Sequence, residues 1–147
     1  WGIILLFGGG LSLGTLADAT GIASWVGAGL QEIGLARTPA GLLFCAVALT
    51  IVISEFASNT AAAALLVPMV IAAAEAAGFD PVRPALGVGR AATSGFIFPV
   101  STPPNAIVFG TGLVPLRRMI RAGILLDITA LVVIWAGLLL LTPILPR

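Results

Sequence analysis

Residues 54–68 read SEFASNTAAAALLVP, and five polar side chains, Ser54, Glu55, Ser58, Asn59 and Thr60, sit there between two apolar blocks at 40–53 and 61–74. Each block has about 14 residues, a helix of about 21 Å at about 1.5 Å per residue. That falls short of a hydrocarbon core of about 30 Å, and apolar runs of 10–14 residues are what re-entrant segments use. One unbroken helix over both blocks, about 35 residues or about 52 Å, would overshoot the bilayer and press all five polar groups against lipid. A hairpin of two half-helices over 37–78 avoids both problems. Its tip is expected near the membrane midplane, where irregular backbone survives only if it lines a cavity or is buried in protein.

The composition agrees with a bilayer. The chain is 59% hydrophobic and 9% charged, with mean hydropathy +1.16, against about 25% charged residues in soluble domains. Its seven basic residues are all arginines, too few and too scattered for a nucleic-acid surface. Cys45 is alone and cannot form an internal disulfide, and without histidine there is no zinc constellation. Hydrolytic or metal chemistry of the soluble kind is thereby disfavoured. No basic n-region or small-residue cleavage site precedes the first apolar run, so no secretory leader is expected. Opening on Trp1 directly into that run, the chain reads as a piece of a longer protein.

The rest divides around the hairpin. Residues 1–36 are expected to form a transmembrane helix (1–17) and an interfacial helix (20–35, with Trp25 at headgroup depth). Gly8, Gly9, Gly10 and Gly14 suit close helix packing in lipid; no Lys-Ser/Thr follows them to make a phosphate loop. Residues 79–115 are expected to form a discontinuous transmembrane helix. Helix over 85–100 stops at STPPN (101–105), because Pro103 has no amide donor and forces Thr102 out of the helical region. Helix restarts near Asn105. Arg90, about 11 residues before that break, would lie about 17 Å along the helix and snorkel to the outer interface. Residues 116–147 form the C-terminal transmembrane helix. Arg117, Arg118 and Arg121 place its start in the cytoplasm by the positive-inside rule, so both hairpin ends lie on the outer face.

Two half-membrane breaks at similar depth are the device by which transporters hold ions and substrates at midplane. The unpaired carbonyls closing the first hairpin helix suit a small cation, whereas the free amides opening the second, near Asn59 and Thr60, suit an anion. Taken alone, Ser58-Asn59-Thr60 would equally serve to cap a buried helix. A second break holding Thr102 and Asn105 weighs against that reading.

At these residues the sequence resembles the divalent anion/sodium symporters, transporters of di- and tricarboxylates or sulfate. SEFASNTAAAALLVP is similar to the hairpin of the family's second inverted repeat, FPVSTPPNAIVFGTG to its proline-broken partner, and LLFGGGLSLG to the glycine-rich stretch upstream. The resemblance implies an all-α membrane protein with a re-entrant hairpin and a discontinuous helix, half of an inverted-repeat transporter. It implies sodium at Ser54, Ala57, Asn59 and Ser101, with Ala57 and Ser101 acting through backbone carbonyls. It places substrate at Ser58, Asn59, Thr60, Thr102 and Pro103. A full Ser-Asn-Thr favours carboxylates over sulfate, while Ala62, where many members have Thr, leaves the preference open. Sodium is the only coupling ion expected and no cofactor is. The missing first half of the chain, the lipid bilayer of a bacterial-type inner or plasma membrane, and a second copy in a homodimer are the expected partners.

Three other readings stand beside this one: a sodium-independent exchanger, an intramembrane enzyme using Glu55 or Asp127, and a purely structural membrane subunit. The enzyme lacks a nucleophile or metal-ligand partner near either break. For Glu55, a hydrogen bond across the hairpin or contact with cavity water outweighs cation binding; for Asp127, pairing with a neighbouring helix outweighs a direct functional role.

Overall fold

The computed structural model describes residues 34–140 continuously, together with residues 4, 5, 8, 9, 12, 15, 16, 19–21, 25 and 29. The helices expected over 1–36 fall mainly outside the described residues. Among the described residues there is no strand. After a 3-10 turn at Leu35–Arg37 come α1 (Pro39–Ser54), α2 (Asn59–Ala76), α3 (Val82–Ala91), α4 (Pro103–Gly110) and α5 (Leu116–Leu140).

Three of these helices open on the same local chemistry. The Thr38 hydroxyl accepts from the Gly41 amide at 3.1 Å and Pro39 fills the first position of α1. Ser58 accepts from the Ala61 amide at 3.2 Å to start α2. Thr102 accepts from the Asn105 amide at 3.4 Å, with Pro103 and Pro104 in the first turn of α4. A hydroxyl at the cap satisfies an orphan amide, and proline at the first positions gives up an amide that had no helical partner anyway.

α1 and α2 run antiparallel. Leu42 packs with Ala74 near the open end, and Ala46 with Leu66 and Val70 farther in. α3 lies on both through Val88. It comes so near α1 at Gly87 that a Cβ there would sit 2.6 Å from Leu43 Cδ1. α5 covers the remaining face of α1, with Leu43, Val47 and Ile51 against Leu131, Ile134, Trp135 and Leu138. Trp135 Nε1 donates to the Ala40 carbonyl at 2.8 Å, and its ring meets Phe44 edge-on at 5.9 Å. α1 packs against three helices and is apolar on nearly every side, leaving Leu49 and Val52 exposed.

The hairpin breaks at 55–58 as expected, but its arms are longer than the apolar blocks. α1 has 16 residues and α2 has 18, about 24 and 27 Å. The Thr38-Pro39 cap moves the start of α1 forward, and Asn59 and Thr60 enter the first turn of α2 because Ser58 caps it. α2 and α5 are each long and apolar enough to cross a membrane, while α1 is a shorter apolar helix.

A larger correction concerns α3, which ends at Ala91 instead of continuing to Val100. The Thr93 hydroxyl turns back to the Arg90 carbonyl at 2.8 Å, and the amides of Ile97 and Phe98 bond to Glu55 rather than to helical carbonyls. The bend is therefore the whole of residues 92–102. Arg90 lies in the last turn of α3, exposed and close to the bend, not about 11 residues away from it. α4 starts at Pro103, two residues ahead of Asn105, since prolines suit a first turn.

α5 has 25 residues, about 37 Å of rise. The hairpin tip meets it near its middle, where Glu55 and Asp127 line one cavity.

Candidate functional site

The hairpin tip and the bend are bonded to each other. Glu55, 2% exposed, reaches from the end of α1 into the bend. Its two carboxylate oxygens accept from the Ile97 amide at 3.0 and 3.1 Å and from the Phe98 amide at 3.0 Å. Two successive amides aimed at one carboxylate form a small anion-holding concavity. The rings of Phe56 and Phe98 close over the same junction at 5.5 Å.

Within the bend, Ser101 and Asn105 organise the backbone. The buried Ser101 hydroxyl lies 2.6 Å from the Phe98 carbonyl and 3.1 Å from that of Gly95. Asn105 Nδ2 donates towards the same two carbonyls at 3.1 and 3.3 Å and to Ser101 Oγ at 3.2 Å. Gly95 is wedged between the two breaks: a Cβ there would lie 3.1 Å from the Ser54 carbonyl oxygen and 3.2 Å from Ser101 Cβ. Ser54, fully buried, donates to the Ile51 carbonyl at 2.8 Å, leaving its own carbonyl at the junction.

Some oxygens at this junction have no protein partner. Among the described residues no donor reaches the backbone carbonyls of Ser54, Ala57 or Ser101. Asn59 Oδ1 is buried and accepts no hydrogen bond from the described residues. Buried acceptors are ordinarily satisfied, and the Asn59 Oδ1 is an exception among the described residues.

The other expected residues lie on a more open side. Ser58, the cap of α2, and Thr60 in its first turn are exposed, Thr102 is half-buried and Pro103 exposed at the start of α4. Thus the structure brings Ser54 and Ser101 together across Gly95. Among the described residues no hydrogen bond joins Ser58, Asn59 or Thr60 to Thr102 or Pro103. Two participants carry no role in the sequence pattern. Gly95 falls where the apolar pattern predicts continuous helix, and Asn105 where it predicts a helix start, although an amide four residues after Ser101 is placed to bond back to it.

The sequence profile of the family described as the sodium:sulfate symporter transmembrane region matches residues 1–144. This chain belongs to that family. It is an integral membrane protein of a transporter family, not an enzyme. Among its relatives is an uncharacterised transporter of Haemophilus influenzae, 41% identical over 136 residues, covering 91% of this chain and 29% of that protein. The sodium-dependent dicarboxylate transporter SdcS of Staphylococcus saprophyticus is 33% identical over 143 residues, covering 97% of this chain and 27% of that protein. SdcS of Staphylococcus aureus is 31% identical over 134 residues, covering 91% and 26%. This symporter-family chain therefore spans between a quarter and a third of the length of the curated relatives it matches.

Proposed function

We propose that this chain is the C-terminal part of a secondary transporter that moves a divalent anion, a dicarboxylate, together with inward-moving sodium. The observation that carries the reading is that, among the described residues, the backbone carbonyls of Ser54, Ala57 and Ser101 and the buried Oδ1 of Asn59 accept no hydrogen bond, while Ser54 and Ser101 meet across Gly95. Sodium, as cargo, would take these as ligands. The anion would then meet the N-terminal end of α2, where free amides and the helix dipole favour negative charge. Ser58, Asn59 and Thr60 there, with Thr102 and Pro103 across the bend, would grip a carboxylate. Filling the cation site first lowers the cost of bringing a dianion into the membrane interior, which supplies a physical reason for coupling.

The name of the two staphylococcal relatives, sodium-dependent dicarboxylate transporter, supports both the ion and the substrate class. In this reading the α1–α2 hairpin is re-entrant, with its tip at midplane opposite the middle of α5. A first inverted repeat lies upstream, and the working unit is a homodimer in a bacterial-type inner or plasma membrane.

The test is dicarboxylate uptake by the full-length protein in proteoliposomes, with sodium replaced by choline. Uptake should collapse. Unchanged uptake in choline would instead identify a sodium-independent exchanger.

A further inference from the structure

α5 carries its charge and its exposed apolar surface on one face. Its buried residues, Met119, Gly123 and Asp127, recur at every fourth position on one side, where Gly123 meets the bend. Arg117 and Arg121 lie on the opposite side with Leu125, Ile128 and Val132, each three or four residues from the next and so stacked along the helix. Both arginines are exposed, and the three apolar residues are more than half exposed. Arg118 flanks the same end and is also exposed. Among the described residues none of these three arginines pairs with a carboxylate; the ion pair that is present joins Arg83 to Asp80.

The depth of this face narrows what can cover it. Trp135 bonds to the Ala40 carbonyl beside the start of α1, and Arg117 lies about 27 Å before it along the helix. The arginines are therefore about one hydrocarbon thickness from the open end of the hairpin, at headgroup level on the other side of a core of about 30 Å. From Arg121 to Val132 the helix rises about 16 Å, the depth of one leaflet of that core. Guanidinium forks match phosphate oxygens, and one leaflet's depth of apolar stripe matches an acyl chain. A neighbouring helix would have to bring carboxylates to the level of the arginines, whereas an anionic lipid carries both features at this spacing. We propose that this face of α5 binds an anionic phospholipid, its phosphate held by Arg117 and Arg121 and its acyl chain laid along Leu125, Ile128 and Val132. The proposal rests on the chain being an integral membrane protein, not on the ion or substrate it moves.

Two measurements on the purified full-length protein test it. In native mass spectra from detergent solution, wild type should retain phosphatidylglycerol at about tenfold lower lipid concentration than phosphatidylcholine of the same chains, since each arginine near a headgroup contributes about fivefold. Arg117→Gln with Arg121→Gln should abolish that preference, and Arg117→Lys with Arg121→Lys, which keeps the charge but loses the bidentate fork, should fall between. In liposomes, phosphatidylglycerol with a photoreactive acyl chain should tag wild type within residues 125–132, a result that needs no variant to fold. Equal retention of the two lipids, a preference that survives Arg117→Gln with Arg121→Gln, or no tagging within 125–132, as when another helix of the protein covers the face, would each overturn the proposal. Dicarboxylate uptake enters neither readout.

Discussion

Ser54 and Ser101, from two separate breaks in the helical pattern, close on the same glycine: a Cβ on Gly95 would sit 3.1 Å from the Ser54 carbonyl oxygen and 3.2 Å from the Ser101 Cβ. That spacing leaves room for hydrogen but forces a neighbour aside by a few tenths of an ångström for a methyl group. Gly95→Ala should therefore displace the Ser54 carbonyl and raise the sodium concentration for half-maximal uptake several-fold, while costing less than about 1 kcal/mol of stability. A sodium titration of uptake beside a thermal melt of the purified transporter checks both parts.

Asn105 joins Ser101 to the carbonyls of Gly95 and Phe98. Asn105→Ala should cost about 0.5–1.5 kcal/mol by taking one donor from those part-buried carbonyls, which keep only Ser101. Asn105→Asp should be worse, because an ionised carboxylate is acceptor-only and would face carbonyl oxygens. Thermal stability of the two variants in detergent should rank them in that order.

Removing the Glu55 side chain orphans two amides in a part-buried loop. Glu55→Ala should destabilise the bend by about 1–3 kcal/mol per orphaned amide, read as faster hydrogen exchange over residues 95–98. Glu55→Gln keeps one acceptor oxygen and should fall between alanine and wild type. Equal exchange in all three proteins would mean that the carboxylate does not hold the bend.

Packing of α5 against the bend has a sharper signature. A Cβ on Gly123 would lie 2.5 Å from both the Ile97 Cα and the Phe96 carbonyl oxygen, which are backbone atoms and cannot rotate away. Gly123→Ala should destabilise by about 1–3 kcal/mol through overpacking and sharply reduce uptake. Gly137→Ala, on the same helix with nothing within 4 Å, is the control and should be silent or slightly stabilising. Melting temperatures of the two variants give the comparison.

Much of this architecture was legible in the residues. The polar cluster at 54–60 between apolar blocks marked a turn, since no lipid-facing helix carries Ser58, Asn59 and Thr60 in succession without cost, and the structure breaks there. Thr102-Pro103-Pro104 marked a helix start for covalent reasons that tertiary context does not override. The true extent of the bend was hidden. Residues 92–100 include apolar Phe96, Ile97 and Phe98, which local preference cannot tell from helix, and what unwinds them is a carboxylate from Glu55, more than 40 positions earlier. That Asp127 and Glu55 line one cavity was likewise invisible, because spacing along α5 says which face a residue shares but not what lies opposite.

The most direct test of the central claim uses Asn59, whose buried Oδ1 has no partner among the described residues. An acceptor that bonds to nothing contributes little to folding, so its removal should register almost wholly in ion binding. Sodium titration of dicarboxylate uptake, comparing full-length wild type with Asn59→Ala at matched expression and melting temperature, should show half-maximal uptake shifted about tenfold or more to higher sodium. Superimposable sodium curves for the two proteins would contradict the account.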